Sequence, residues 1–285
     1  MSEILTDGPR ACVTGHPIVH SRSPLIHNYW LKTMGLKGHY GRVDTPPELF
    51  PEFIRSLEKN GYVGCNVTLP NKELAYQSAD VKTERAERLQ AANTLWLENG
   101  KLHADNTDIE GFISNLDERA PGWDLHLNKV VILGAGGAAA AIIQGLTERR
   151  ASKIVIVNRT VEKAEQVAQR FSTAIDVKSF NDVPAALDRA DLVVNTTSLG
   201  MKGQPPLTLD LSKLEPNALV TDIVYVPLIT DFLRSAHDQG FKIVDGLGML
   251  LHQAVPGFEH WFGQRPRVTA ELRAMIEADL FQVKS

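Results

Sequence analysis

Lys129-Val130-Val131-Ile132-Leu133-Gly134-Ala135-Gly136-Gly137-Ala138-Ala139 reads as a strand, a turn and the start of a helix. Val130 to Leu133 is an unbroken apolar run, which suits a strand covered on both faces in a parallel sheet. Gly134 ends that run, and the alanine-rich segment beyond it has the composition of a helix. The spacing fits G-x-G-x-x-[GA], with Ala139 in the last place. Gly134 permits the tight turn, Gly136 lets the backbone approach a pyrophosphate, and small side chains from Gly137 to Ala141 let the helix pack closely on the sheet. The N–H groups at such a helix start attract an anion. In this strand-turn-helix setting the pattern predicts a dinucleotide cradle at Gly134, Ala135, Gly136, Gly137 and Ala138, in preference to a plain tight turn.

The segments downstream keep the rhythm of an open parallel sheet. Lys153 to Val157, Leu192 to Val194, Leu219 to Ile223 and Lys242 to Asp245 read as strands. Helical stretches from Glu162 to Phe171, Val183 to Asp188 and Thr230 to Gln239 fall between them. This alternation predicts a doubly wound Rossmann-type domain. Its second strand runs into Asn158-Arg159-Thr160. An NAD site carries a carboxylate there, about 20 residues past the glycines, for the ribose 2′-hydroxyl. A guanidinium instead grips a 2′-phosphate through two charge-assisted hydrogen bonds. Asn158, Arg159 and Thr160 therefore favour NADP(H) over NAD(H); the alternative is an arginine merely solvated after a strand. Thr160 can also cap the next helix. After the third strand, Thr197 and Ser198 lie where an open sheet holds its ligand, with Met201 as a floor for the nicotinamide. Ordinary turn chemistry explains each of these three equally well.

The chain of 285 residues is 43% hydrophobic and 22% charged, ordinary for a globular protein of one large or two normal domains. A net charge of −4 gives no general attraction to nucleic acid or anionic membranes, so any phosphate binding has to be local. No apolar run approaches the ~20 residues needed to span a bilayer. The opening MSEILTDGPRACVTG carries two acids before its first arginine and lacks the apolar core of a signal peptide. Cys12 and Cys65 each sit in an apolar stretch, and two buried thiols suit a reducing cytoplasm. The nine histidines include no pair at clear ligand spacing, so no metal is expected.

The first third alternates strand-like and helix-like segments. Ala11 to Thr14 is a short apolar run closed by Gly15, and Ser23-Pro24 reads as a helix N-cap with proline at the first helical position. A strand follows near His39 to Val43, then a proline-started helix through Leu57 and a strand from Tyr62 to Leu69. One helix is expected after Lys72, and Asn99-Gly100 reads as the turn of a hairpin. Met249 to Phe262 and Thr269 to Phe281 are helical and are expected to return to the first domain, since domain termini tend to lie close together. Polar residues gather at the element ends: Ser21, Ser23, Thr68, Lys72, Asn93 and Asp105 to Asp108. Singly, each has a structural reading. Ser23 is a cap, Asn93 an Asx turn, and Asp108 a cap for the helix from Ile109. Lys72 follows Pro70, which has no N–H for a sheet ladder, and a cation at a helix start opposes the dipole. It is either a solvated charge or an amine aimed at a ligand.

Taken together, these residues form a recognisable set. Gly15 to Pro24 with His27-Asn28, Asn66 to Lys72, Ala92-Asn93-Thr94, Asp105 to Phe112, the glycine loop, Asn158-Arg159-Thr160, and Asp245-Gly246 through Gln253 closely resemble, in order, the motifs of shikimate dehydrogenases. The resemblance spans nearly the whole chain. It implies a two-domain α/β protein: a substrate-binding domain with a mixed sheet at 1–108 plus 247–285, and a Rossmann-type NADP-binding domain at 109–246. It implies NADP-dependent interconversion of 3-dehydroshikimate and shikimate, in aromatic amino-acid biosynthesis, and the thiols read above set the expected place as the cytoplasm.

Carried over residue by residue, the resemblance makes Lys72 the acid/base residue and Asp108 its partner. Ser21, Ser23, Thr68, Lys72, Asn93, Asp108, Tyr225 and Gln253 hold the substrate. Lys163, Thr197, Ile223, Gly246 and Glu84 join the glycine loop and Asn158-Arg159-Thr160 around the cofactor. The residue types suit the chemistry. Hydride transfer to a ketone leaves negative charge on the carbonyl oxygen, which an ammonium stabilises and protonates. A carboxylate beside that ammonium orients it and favours its charge. The paired hydroxyls of Ser21 and Ser23 suit a carboxylate without a buried arginine.

Two other readings belong beside this one. A dual-specificity quinate/shikimate dehydrogenase is the nearest. Relatives that accept quinate often carry Thr at the second serine and an acid near Asn-Arg-Thr, whereas this chain has Ser23 and no acid at 158 to 160. A non-catalytic NADP(H)-binding regulator would need the glycine loop and Arg159 but not Lys72, Asp108 or Gln253. The partner expected is a small molecule, on a chain that is a monomer or a homodimer.

Overall fold

The structure, a computed structural model, describes residues 8–282. The chain divides into two compact units. One comprises the residues up to Thr107 with Gln253–Ile276, and the other Asp108–His252 with the residues from Glu277.

The first unit opens with β1 (Arg10–Gly15), α1 (Ser23–Thr33), β2 (His39–Asp44), α2 (Phe50–Arg55), β3 (Tyr62–Val67) and α3 (Lys72–Ser78). Then come β4 (Val81–Lys82), α4 (Glu84–Leu89), β5 (Thr94–Glu98) and β6 (Lys101–Asp105). Among the described residues its sheet has six strands in the order β2-β1-β3-β5-β6-β4. β1 pairs in parallel with β2 and β3, while β5 runs antiparallel to both its neighbours. The sheet is therefore mixed. The β5–β6 hairpin turns at Asn99 and Gly100 with φ of 52° and 71°, the left-handed pair that an Asn-Gly turn supplies. Alternation along β1 sends Cys12 into one core, with Phe50, Leu57, Cys65 and Leu95, and Ala11 and Val13 into the other, with Tyr40, Trp96 and Trp261. Both cysteines are free and buried.

The second unit holds α5 (Asp108–Arg119), β7 (Val130–Leu133), α6 (Gly137–Glu148), β8 (Ile154–Asn158), α7 (Val161–Ala168) and β9 (Ile175–Ser179). It continues through α8 (Val183–Leu187), β10 (Leu192–Asn195), β11 (Leu219–Asp222), α9 (Asp231–Asp238), β12 (Lys242–Val244) and α10 (Leu247–His252). Among the described residues its sheet is six-stranded in the order β12-β11-β10-β7-β8-β9, all parallel. This is the doubly wound order, and the strand sequence reverses between β7 and β10. All of β7 is buried, as its unbroken apolar run requires. Residues 196–218, between β10 and β11, form no helix; Leu207, Leu211 and Leu214 instead fill the core beside Val193 and Val220. Each such leucine contributes about 1.5–3 kcal/mol by leaving water. The chain ends with α11 (Ala254–Phe262) and α12 (Ala270–Gln282).

Several local expectations are corrected. Ser23 is the first helical residue, not the N-cap. Arg22 holds the cap position without a side-chain bond, and the Ser23 N–H donates to the Ser21 hydroxyl two residues back (3.3 Å). The single helix expected after Lys72 is two helices, α3 and α4, separated by the two-residue strand β4. The helical tail from Met249 breaks at Gln253 into α10 and α11. α10 lies in the second unit, where a Cβ on Gly248 would meet the Asn115 side chain of α5 and His252 pairs with Glu118 at 2.7 Å. These contacts with α5, invisible in local periodicity, show which unit α10 packs in. β9, which no expectation covered, is an edge strand alternating half-buried apolar with exposed charged residues.

Candidate functional site

In the first unit the polar residues are tied together at the ends of β1, β3 and β5. The Thr68 N–H donates to Thr14 O (2.9 Å), extending the β1–β3 pairing by one residue. The bend at Pro70-Asn71 is then clamped from both sides. Asn71 N donates back to Thr68 O (3.0 Å), and the fully buried Asn71 side chain donates to Thr45 O (2.8 Å). Lys72 begins α3 half-buried, and its carbonyl accepts from Ala92 N (2.9 Å), one residue before Asn93. The bend is thus a built feature that fixes where Lys72 starts.

Asn93 is a long-range bracket, not an Asx turn. Its Oδ1 accepts from Thr107 N (2.8 Å) and from the Thr94 hydroxyl (3.1 Å). The Thr107 hydroxyl spends its proton on Gln253 O (2.8 Å), and Asn93 Nδ2 faces Gln253 Oε1 (3.4 Å). With its oxygen engaged, Asn93 is oriented as a donor. Thr107 is peptide-bonded to Asp108, so the same network fixes the residue before that carboxylate. Asp108 is itself the first residue of α5 and 8% exposed, and is not a cap preceding Ile109.

The serine pair joins this network through two residues that sequence reasoning missed, Tyr40 and Asn66. Ser21 Oγ donates to Ser23 Oγ (3.3 Å), and the Ser23 side chain lies close enough to the Tyr40 hydroxyl to lower its pKa slightly against the effect of burial. The Tyr40 hydroxyl donates to Asn66 Oδ1 (2.6 Å), whose amide reaches Asn93 O (3.1 Å) and Thr94 Oγ1 (3.2 Å). Burial pushes the Tyr40 hydroxyl pKa well up, so it stays a protonated donor. Glu84 lies exposed on α4 and pairs with Arg88 one turn on (2.7 Å).

In the second unit, the loops that end β7 and β10 meet at the reversal of the sheet. Gly134 has φ of +105°, and a Cβ there would meet Thr196 Oγ1 at 2.8 Å and Thr197 Cγ2 at 2.9 Å. Any side chain would be both strained and crowded. Gly134 N donates to Val157 O (2.8 Å), tying the turn to β8 two residues before Arg159. Gly136 and Gly137 are different: both are exposed, and an added Cβ would meet nothing within 4 Å. Packing does not ask for glycine there, so the space over the start of α6 suits a pyrophosphate. Asn158 Nδ2 donates to Thr160 O (2.7 Å), shaping the turn that carries Arg159. Thr160 occupies the cap position of α7 without a side-chain capping bond. Arg159 and Lys163 are exposed, and Arg159 forms no ion pair among the described residues. The residues present therefore fit a phosphorylated dinucleotide.

Thr197 is committed within its own loop, donating to Asn195 Oδ1 (2.7 Å) and accepting from Leu199 N (3.1 Å). Ser198 and Met201 are exposed on that loop. Gly246 passes close to Ile223, where a Cβ would meet the Ile223 carbonyl oxygen at 2.4 Å. Tyr225 is half-buried two residues beyond Ile223.

Asp222 organises these loops and was also missed. Its carboxylate accepts from Asn195 Nδ2 (2.9 Å), Val224 N (2.9 Å) and the Thr230 hydroxyl (2.8 Å), the cap of α9. Asn195 and Asp222 are register partners, each ending its strand. Their signal was a polar residue closing a largely apolar strand. Burial pushes the Asp222 carboxyl up to about 6, against the opposing pull of those three donors. The folded state therefore holds this proton to higher pH than the unfolded chain does. The resulting stability is complete below about pH 4 and is lost as pH rises through about 6. Asp222→Asn removes that dependence. Its unfolding free energy relative to the parent, from urea titrations, is expected to improve by roughly 2 kcal/mol between pH 4 and pH 7. A constant difference would contradict this.

These features define a two-domain α/β protein with a Rossmann-type nucleotide-binding unit and a separate mixed-sheet unit bearing a fixed lysine. Residues 13–95 match the shikimate dehydrogenase substrate binding domain, 116–202 the shikimate / quinate 5-dehydrogenase family, and 246–276 the shikimate 5′-dehydrogenase C-terminal domain. The shikimate dehydrogenase (NADP(+)) of Rhizobium meliloti strain 1021 is 55% identical over 272 residues, covering 95% of this chain and 95% of that protein. Among solved structures, shikimate 5-dehydrogenase from Thermus thermophilus, in complex with NADP(H) and shikimate, matches with a TM-score of 0.82 at 31% identity, over 96% of this chain and 99% of that one. Quinate dehydrogenase from Corynebacterium glutamicum in complex with NAD matches with a TM-score of 0.87 at 26% identity, over 95% and 99%. The chain belongs to the shikimate dehydrogenase family.

Proposed function

We propose that this chain is an NADP-dependent oxidoreductase that reversibly reduces 3-dehydroshikimate to shikimate, in the shikimate pathway of aromatic amino-acid biosynthesis. Family membership sets the reaction class, and relatives more than half identical are named for this activity with NADP(+). The observation that carries the cofactor choice is the turn after β8. Arg159 is exposed there, no carboxylate stands at 158 to 160, and a guanidinium is the group that recognises a 2′-phosphate. NADPH, when bound, supplies the hydride. In this proposal it would be held by Gly134 to Ala138 and by Asn158, Arg159, Thr160 and Lys163, with Thr197, Ile223, Gly246 and Glu84 beside them.

The chain's own residues do the rest. In this proposal Ser21 and Ser23 hold the substrate carboxylate, and Thr68, Gln253 and Tyr225 its other polar groups. Asn93, its oxygen already engaged, donates to a ring hydroxyl and does not accept from it. The Lys72 ammonium steadies the negative charge growing on the substrate oxygen and passes a proton to it. Asp108 orients that ammonium. The two buried free cysteines suit a cytoplasmic setting, and among the described residues no helix is long and apolar enough to cross a membrane.

A comparison of kcat/KM for shikimate and quinate, each with NADP and with NAD, tests this reading. Shikimate with NADP is expected to exceed every other combination by about 10²-fold, because a site built for one hydroxyl pattern rejects another strongly. Comparable turnover of quinate, or of shikimate with NAD, would overturn the assignment.

A further inference from the structure

β2 is the edge strand of the first sheet, hydrogen-bonded to β1 alone among the described strands. Its outward side is used by the segment that carries the serine pair. Asn28 of α1 brackets Tyr40, donating to its carbonyl (2.8 Å) and accepting from its N–H (3.1 Å). Two residues on, Arg42 donates to the Ser21 carbonyl from both Nε (2.9 Å) and Nη2. Two further on, Asp44 accepts from Ile18 N (3.1 Å) and lies 3.1 Å from the His16 ring nitrogen. Residues 40, 42 and 44 point to one side of a strand. The Tyr40 backbone and the Arg42 and Asp44 side chains all hold residues 16–28, and Arg42 grips the segment at the Ser21 carbonyl.

We propose that Arg42 is a positioning residue for substrate recognition. Its planar fork holds the Ser21 carbonyl and thereby sets the peptide that brings the Ser21 and Ser23 hydroxyls to within 3.3 Å of each other. A carboxylate bound by two hydroxyls needs both aimed at once, so a loose Ser21 peptide weakens substrate affinity more than it slows bound substrate. Arg42 is exposed, so its replacement is expected to leave the fold intact. Lysine at 42 keeps the charge and loses the fork, and only partly replaces it. The inference rests on the reading that Ser21 and Ser23 hold the substrate.

The test is steady-state kinetics and thermal melting on Arg42→Gln, Arg42→Lys, Ser21→Ala and the double variant Arg42→Gln/Ser21→Ala of the full chain. Arg42→Gln is expected to raise KM for shikimate about 5- to 10-fold, the size of a lost charge-assisted hydrogen bond at an exposed site. KM for NADP and kcat should stay within about twofold, and the melting temperature should be unchanged. Arg42→Lys should fall between Arg42→Gln and the parent. In the Ser21→Ala background Arg42→Gln should add less than twofold, because what it positions is gone. A shikimate KM unmoved by Arg42→Gln, or raised equally with and without Ser21, would overturn the inference while the site reading stands. A parallel rise in both KM values with a lowered melting temperature would mark Arg42 as merely structural and also overturn it. A Ser21→Ala variant with unchanged shikimate KM would overturn the site reading, and this inference with it.

Discussion

Lys72→Ala lowers kcat/KM for shikimate oxidation by about 10³- to 10⁴-fold, the combined loss of a proton-transfer group and of charge stabilisation in a shielded site. The expectation rests on how strictly the structure holds this residue. A lysine serving only as a solvated helix-start charge would need no buried Asn71 clamp on Thr45 and no tie from its own carbonyl to Ala92. Both bonds survive truncation of the side chain, so the fold is retained and the loss is one of chemistry. Lys72→Arg separates the two roles. Arginine keeps a positive charge but does not release a proton in proteins. If proton transfer is the larger part, Lys72→Arg is nearly as slow as Lys72→Ala. If charge dominates, it recovers at least tenfold. Steady-state rates of both variants measure this, and a Lys72→Ala enzyme at the parent rate would contradict the mechanism.

Arg159→Ala raises KM for NADP about 30- to 100-fold and leaves KM for NAD within about threefold. A bidentate guanidinium–phosphate contact is worth about 2–3 kcal/mol, and every 1.4 kcal/mol is tenfold in affinity. The contact concerns only the 2′-phosphate, which NAD lacks, so the loss is selective. Arg159 is exposed at a turn shaped by Asn158, and its removal disturbs no packing. High salt should shrink the parent's preference for NADP, since an exposed charge pair is screened. Equal losses with both nucleotides would show that Arg159 supports the turn without reading the phosphate.

The parts of this protein that local physics dictates were legible in its sequence. Val130 to Leu133 has no polar residue to place in water, and Gly134 follows it, so strand and turn could hardly be read otherwise. Asn99-Gly100 announced its hairpin in the same way. β9 was harder, because Ile175-Asp176-Val177-Lys178-Ser179 is only half-buried and its charges resemble a loop. Long-range packing was not legible at all. Nothing near Gly248 says that Asn115 lies against it, so the unit to which α10 belongs could not be read locally. The site divides along the same line. Thr68, Lys72, Asn93 and Asp108 stood at element ends, where polar residues invite attention. Tyr40, Asn66 and Asp222 sit within or at the end of strands and pass for sheet residues until their distant partners, Asn66 for Tyr40, Asn93 for Asn66 and Thr230 for Asp222, are known. Asn93 shows the difference best. Its local explanation was an Asx turn, but its bonds reach Thr107 and Gln253.

The central claim is a division of labour: Lys72 in the first unit serves the chemistry, and Arg159 in the second reads the cofactor. Calorimetric titration of NADP and of shikimate into the Lys72→Ala and Arg159→Ala variants tests it directly. Lys72→Ala should bind NADP as the parent does while turning over almost no shikimate, and Arg159→Ala should bind shikimate normally and NADP weakly. Weak NADP binding by Lys72→Ala, or weak shikimate binding by Arg159→Ala, would contradict the account.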